Sequence, residues 1–312
     1  MVLQKVKIRF RDDHKNFPVL RAPRGLAEMC TPAFSRSNPN GRLPLLAIVL
    51  SHPNNTEYRR AMRETWASPN HSLAVKMGHA RVFFILGKES DSQVDAIEQE
   101  FEDHNDIFTI DMKDLYDDLA YKVLAEFQIA MNWCKADFLL KIDDDTVFHI
   151  DRFIEGIDRA FHTATPAFYC YTTDGVRPIR DKEDKWYDGV YKGKTYPTYC
   201  SGPNYIVNHK AIRKILAKTS LFPKIRIEDA LISGVIAEAA KVERVHYEYW
   251  ILFPIWEQRW HDEWLCSKTE WGSRAMMSYT NQKSRKAIAA AWATMNEQCT
   301  ESENKEETSA EE

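Results

Sequence analysis

Long hydrophobic runs are missing from this 312-residue chain: the longest apolar stretch, Leu43 to Leu50, spans eight residues, against the roughly 20 that a membrane-crossing helix requires. The first twenty residues also lack the unbroken apolar centre of a secretory signal. Cysteine is scarce, six in all, and none falls in a C-x-x-C pair, so a small disulfide scaffold is excluded and no zinc or thioredoxin-like motif is offered. An excess of one charge is absent too. With 42 Lys and Arg against 46 Asp and Glu, the chain has no global field for gripping nucleic acid, and no nucleic-acid partner is expected. Nor does a glycine-rich turn of the dinucleotide or P-loop kind open the first helix, so phosphate has to be held by other means.

What is present is enough apolar mass, 44% of residues, for a substantial core. The charge imbalance sits at the ends: residues 1 to 24 carry a net of +5 and residues 297 to 312 a net of -6. Residues 1 to 42, rich in Pro and Gly after position 21, read as an N-terminal arm, residues 43 to 296 as a single domain, and 297 to 312 as a disordered acidic tail. From Leu43, strand-length apolar stretches alternate with helical ones. LPLLAIVLSH, RVFFILG, IFTIDM and ADFLLKI read as strands; TEYRRAMRETWAS, SQVDAIEQEFEDH and Asp114 to Cys134 read as helices. Continuous apolar strands joined by helices predict an α/β fold, a mostly parallel central sheet with helices on both faces and a ligand site at the carboxyl ends of the strands. A short helix from Asp151 to His162 and a basic one near Asn208 to Thr219 follow, and Tyr247 to Trp271 is dense in aromatics.

The sharpest chemical feature is Asp143-Asp144-Asp145 at the end of a strand that otherwise reads as buried. Three adjacent carboxylates repel one another unless a cation compensates them, and carboxylate, water and phosphate oxygens suit Mn²⁺ or Mg²⁺. The plain alternative is a solvated turn. A second pair, Glu228-Asp229, opens an apolar helical segment and on its own reads as a helix cap. Beside a metal-binding cluster it acquires another reading, as the base that a group-transfer site needs.

These residues lie within a longer pattern. RRAMRETW (Arg59 to Trp66), FFILG (Phe83 to Gly87), the spacing of Asp111, Asp114, Tyr116, Leu119 and Lys122, KIDDDTVF, YPTYCSG ending at Gly202, and IEDALISG ending at Gly234 stand in one order along the chain. Together they resemble glycosyltransferase family 31, the β-1,3-galactosyltransferase and β-1,3-N-acetylglucosaminyltransferase type. The resemblance implies a GT-A type nucleotide-sugar-binding fold, Mn²⁺ (or Mg²⁺), a UDP-sugar donor and a glycan acceptor on a glycoprotein or glycolipid, with inversion at the anomeric carbon. It implies Asp145 and Asp143 as metal ligands, Asp143 and Asp144 on the donor side, Asp229 as base and Glu228 as its orienting partner. It also implies residence on the lumenal side of the Golgi membrane, through an anchor that this sequence does not include. Two sequons, Asn54-Asn55-Thr56 and Asn70-His71-Ser72, are compatible with the secretory route.

Other candidates carry plainer alternatives. Arg59 and Arg63 share a helical face that could approach the nucleotide, or form a solvated basic face. Lys122 is a candidate phosphate contact or a surface lysine. His246 is a candidate third metal ligand or a packed imidazole. Trp186, Tyr187 and Tyr191, with Tyr196 and Tyr199, form a candidate acceptor wall or lid beside Gly189 and Gly193, or fill core. Trp66 and Trp133 read as core, and Cys170 and Cys200 as a plausible bridge. Pro203-Asn204 after Gly202, and Ala230 with Gly234 one residue late, depart from the family pattern. The rivals to a transferase are an inactive carbohydrate- or UDP-binding module of the same fold, and a metal-dependent phosphoryl or nucleotidyl transfer enzyme.

Overall fold

The computed structural model describes residues 5–31, 41–157, 159–248, 251–252, 268 and 277–297. Its first strands are β1 (Lys5–Phe10), β2 (Asp13–Arg21), β3 (Leu43–Leu50), β4 (Ala80–Leu86), β5 (Ile107–Ile110) and β6 (Ala136–Asp143). They are followed by β7 (Val147–Phe148), β8 (Ala167–Cys170), β9 (Thr172–Thr173), β10 (Tyr199–Cys200), β11 (Asn204–Asn208), β12 (Glu243–His246), β13 (Ile251–Leu252) and β14 (Ser278–Tyr279). The main sheet runs β1-β2-β5-β4-β3-β6-β11-β8-β12. Its centre, β5-β4-β3-β6, is parallel, and β11 is inserted antiparallel between β6 and β8.

The parallel centre follows from the connections. Between β3 and β4 lie α2 (Thr56–Arg63) and α3 (Leu73–Lys76), after a short α1 (Leu26–Met29) before β3. Then α4 (Val94–His104) links β4 to β5, and α5 (Leu119–Asn132) links β5 to β6. Parallel strands need such crossovers, and these helices cover the sheet. Alternate β3 residues enter two separate cores: Leu46, Ile48 and Leu50 pack with α5 residues such as Tyr121, Leu124 and Phe127, while Leu45, Ala47 and Val49 pack with Met62 and Trp66. Trp66 is fully buried and Trp133 half-buried, stacked on Phe108. The predicted α/β class is what forms, and no helix among the described residues is long and apolar enough to cross a membrane.

Three of the expected elements change their boundaries. Residues 5–21 are not an arm: Val6, Ile8 and Phe10 point alternately into the core while the lysines and arginine between them face water. That hairpin extends the sheet through the β2–β5 pairing, so the domain begins at Lys5. A disulfide between Cys30 and Cys134 ties the next segment to the end of α5, and Cys170 is bonded to Cys200 as the flanking positions suggested. The helix expected from Asp114 instead starts at Leu119, after a 3₁₀ turn at Tyr116–Asp118. Asp114 is withheld from it because its carboxylate binds the Gly87 amide and the Lys122 ammonium. The helix expected from Asp151 to His162 runs Ile150–Gly156. Five tryptophans, Trp250, Trp256, Trp260, Trp264 and Trp271, and nearly all of the acidic tail lie outside the described residues.

Candidate active site

The strand β6 delivers the acidic triplet to the carboxyl edge of the parallel centre, beside the carboxyl end of β3, where Leu50 pairs with Asp143. Asp144 turns towards β3 and accepts a hydrogen bond from Asn55 Nδ2 at 2.9 Å. Asp145 is held lightly, by the Thr146 hydroxyl at 3.3 Å and the exposed Lys283 ammonium at 3.3 Å. Asp143 receives the Lys141 ammonium at 2.7 Å while 38% of its side chain stays open to the cleft. Desolvation by the surrounding protein, with the charges of Asp145 and Asp144, pushes the Asp143 carboxyl up to about 6 against the pull of Lys141. Desolvation likewise raises Asp144.

Glu228 and Asp229 approach the same cleft from the other side. Asp229 caps the helical turn that follows, accepting from the Ala230 amide at 2.9 Å. That turn, Ala230–Ile236, is a π-helix, which accommodates one extra residue per turn, and it runs on into a short α-helix, Ala237–Ala240. Ser233 pins it by donating to the Asp229 carbonyl at 2.7 Å and accepting from the Cys200 amide at 2.9 Å. Gly234 lies where an added Cβ would stand 3.1 Å from Tyr199 Cβ. The late glycine is thus absorbed by π geometry. Glu228 is buried, accepts from the Tyr205 hydroxyl at 3.0 Å, and has Lys141 Nζ 4.0 Å from its second oxygen. Burial first, and then the neighbouring Asp229 charge, push Glu228 up to about 7 despite Lys141. Asp229 is raised as well, by desolvation. Gly202 completes the floor: its carbonyl accepts from Lys141 at 2.5 Å, and a Cβ on it would lie 2.9 Å from Asp229 Oδ2.

A galactosyltransferase family model matches residues 57–248, which contain the acidic triplet, Lys141, Gly202, Tyr205 and the Glu228–Asp229 pair. The chain belongs to the galactosyltransferase family. Among its relatives is the Beta-1,3-galactosyltransferase bre-2 of Caenorhabditis elegans, 30% identical over 203 residues, covering 62% of this chain and 56% of that protein. Human Beta-1,3-galactosyltransferase 1 is 30% identical over 196 residues, covering 61% and 59%. A Lactosylceramide 1,3-N-acetyl-beta-D-glucosaminyltransferase of Rattus norvegicus is 29% identical over 206 residues, covering 64% and 55%. The alignment thus spans little more than half the length of these curated relatives.

In this galactosyltransferase-family chain, the segment between Cys170 and Cys200 forms the far wall of the cleft. It is knotted by Asp188, which accepts from the Tyr196 hydroxyl at 2.6 Å and from the amides of Val190 at 2.8 Å and Tyr191 at 3.0 Å. Tyr196 is buried and stacks on Tyr191, so both act largely as filling within the loop. Tyr187 is half-buried at a bridge to Ile179. Trp186 is 51% exposed, with Lys185 Nζ lying over both its ring and that of Tyr116. The Tyr116 hydroxyl is raised first by desolvation and then by the charges of Asp229 and Glu228, and Lys185, lying over both rings, sets Trp186 beside Tyr116.

Three assignments from sequence, Arg59, Arg63 and Lys122, are corrected. Arg59 is completely buried and its guanidinium is consumed by Glu100, Ser51, Thr56 and the His52 carbonyl. Arg63 pairs with Asp106 and Glu100 at 2.8 Å and lies over the Phe84 ring. Both therefore brace α2 against α4 and β5, and neither is free to meet a nucleotide. Lys122, 2% exposed, spends its ammonium on Asp114 and the Ser51 carbonyl. His246, at the carboxyl end of β12, has its Nδ1 held by the Thr172 amide at 3.1 Å and hydroxyl at 2.9 Å. Sequence reasoning missed Lys141, Tyr205 and Glu126. The signal for Lys141 and Glu126 was charge at an inward position of an otherwise apolar strand and helix.

Proposed function

We propose that the chain is an inverting, metal-dependent hexosyltransferase that transfers galactose or an N-acetylhexosamine from a UDP-sugar to a hydroxyl of a glycan acceptor, on a glycoprotein or glycolipid, in β-1,3 linkage. The observation that carries this reading is the convergence of Asp143 and Glu228–Asp229 on one cleft, with Lys141 between them. Among the described residues, no three His, Cys, Asp or Glu side chains close into a metal cage by themselves. A Mn²⁺ or Mg²⁺ ion usually takes one or two protein carboxylates, the rest of its shell being water and phosphate oxygens, and Asp145 with Asp143 fits that demand. Bound there, such an ion would neutralise the diphosphate as it departs.

The chain's own groups would do the rest. Asp229 takes the proton from the attacking acceptor hydroxyl, whose oxygen forms the new bond to the anomeric carbon as the bond to the diphosphate breaks and UDP leaves with the electron pair. Glu228, fixed by the Tyr205 hydroxyl, orients Asp229. Trp186 and Tyr116 offer aromatic faces to the apolar side of an acceptor sugar, with Tyr187 and Tyr191 supporting that wall. Two disulfides fit an oxidising compartment and so favour the lumenal side of the Golgi membrane. The deciding assay is UDP release across a panel of UDP-sugars and saccharide acceptors, with and without Mn²⁺. Asp145→Ala is expected to abolish turnover together with metal-dependent UDP binding, and Asp229→Asn to abolish turnover while UDP still binds. UDP binding without donor consumption in the unmodified protein would point to an inactive module, and release of pyrophosphate or phosphate to a phosphoryl-transfer enzyme.

A further inference from the structure

Lys141 occupies a position where β6 would otherwise present an apolar side chain, and it is 1% exposed. Burying an ammonium is costly unless its hydrogens are used. They are used on both halves of the cleft. One points at Asp143 Oδ1, two residues along the same strand face, at 2.7 Å, and another at the Gly202 carbonyl at 2.5 Å. Glu228 Oε2 lies 4.0 Å away, and the ring of the cross-strand partner Tyr205 is at 5.8 Å.

The Gly202 contact has the widest reach. The Asp143 amide donates to the next carbonyl, Pro203, at 2.9 Å, so β6 grips residues 202 and 203 at two adjacent points. On its other side Gly202 abuts Asp229, whose Oδ2 stands 2.9 Å from where a Cβ would be. Gly202 is thereby sandwiched between the ammonium and the carboxylate assigned as base. Withdrawing the ammonium releases the carbonyl, and Asp229 loses the surface that limits its position.

We propose that Lys141 is a positioning residue that sets the spacing between the donor-side carboxylate Asp143 and the base Asp229, acting through the Gly202 carbonyl. This role rests on the transfer reaction proposed above. It has a directional consequence. Without Lys141, Asp143 loses a competitor for a divalent cation, so donor binding persists while the geometry at the acceptor hydroxyl is lost.

The test is Lys141→Met, close in volume and uncharged, in the full chain. Acceptor-dependent kcat is expected to fall about 100-fold, the usual penalty for displacing a reacting group by about 1 Å. The KM for the UDP-sugar, and the Kd for UDP with Mn²⁺ measured by calorimetry, are expected to stay within roughly threefold of the unmodified protein. Amide hydrogen exchange across residues 200–204 is expected to accelerate. A folded Lys141→Met protein with full turnover, with parallel losses of donor affinity and kcat, or with unchanged exchange at 200–204 overturns the proposal. Glu126, fully buried and with neither carboxyl oxygen hydrogen bonded among the described residues, is a neighbouring carboxyl that burial pushes well up while Lys141 pulls it down. If the single variant does not fold, the same measurements are made on Lys141→Met with Glu126→Gln, against Glu126→Gln alone. If the unmodified protein releases no UDP from any donor, the transferase reading fails, and the exchange measurement alone decides the positioning role.

Discussion

Replacing Glu228 by Gln should stabilise the protein while impairing it. Glu228 is 5% exposed, and its carboxyl titrates at about 7 in place of the ordinary 4.5, first because burial disfavours the anion and then because Asp229 lies beside it. A raised carboxyl contributes stability while the native state holds the proton, and loses that contribution as pH rises through about 7. The difference corresponds to roughly 3 kcal/mol by pH 8, with the attraction of Lys141 already counted against it. Glutamine removes the penalty and keeps an oxygen to accept the Tyr205 hydroxyl. At pH 5 the native carboxyl is protonated, and the gain shrinks to about 1 kcal/mol. For a domain of this size, about 2 °C per kcal/mol converts these figures to a rise in Tm of roughly 6 °C at pH 8 and 2 °C at pH 5. Differential scanning calorimetry at the two pH values, with UDP release measured in parallel, checks both halves. A Glu228→Gln protein that melts lower at pH 8, or whose gain is equal at both pH values, refutes the claim that Glu228 is held as a strained anion; undiminished turnover refutes its place beside the base.

The pH–rate profile follows from the same groups. Because Glu228 titrates at about 7, kcat/KM should fall as pH drops from about 7 to 5, and a flat profile through that window would remove Glu228 from the chemistry. Gly202→Ala should cut kcat about 10- to 100-fold with UDP affinity unchanged, because the new methyl must displace the Asp229 carboxylate from 2.9 Å; wild-type turnover would show that Asp229 has room to spare. Arg59→Ala should cost about 2–3 kcal/mol of stability in thermal unfolding, since it removes two charge-assisted hydrogen bonds and leaves the buried Glu100 carboxylate with Arg63 as its remaining guanidinium partner. A loss of UDP affinity in that variant without a loss of stability would restore Arg59 to the nucleotide site.

The divide between what was legible in the sequence and what was not follows the range of the forces involved. The acidic triplet could be read because its oddity is local: carboxylates ending an apolar strand conflict with their own neighbours in sequence. The strands β3 to β6 and the helices between them could be read because apolar periodicity is also local. The alternation of Val6, Ile8 and Phe10 was equally local, and the charges between them hid a real strand. The arginines were misjudged for a different reason. On α2, Arg59 and Arg63 look like a free basic face, and nothing within ten residues contradicts that; their partners, Glu100 and Asp106, arrive from the end of α4 and the turn before β5.

The same limit applied at the cleft. Its two acidic clusters are 85 positions apart in sequence, and Lys141 joins them only because β11 inserts beside β6 and carries Gly202 and Tyr205 to it. An arginine with long-range carboxylate partners is a brace, and a buried lysine with long-range carboxylate partners is a link. Sequence supplies the charge in both cases; only the pairing of strands decides which role it takes. For that reason the antiparallel insertion of β11, rather than the parallel centre, is the feature of this sheet that joins the two acidic clusters: it is what brings Gly202, and with it Asp229, to the edge where Asp143 already stands.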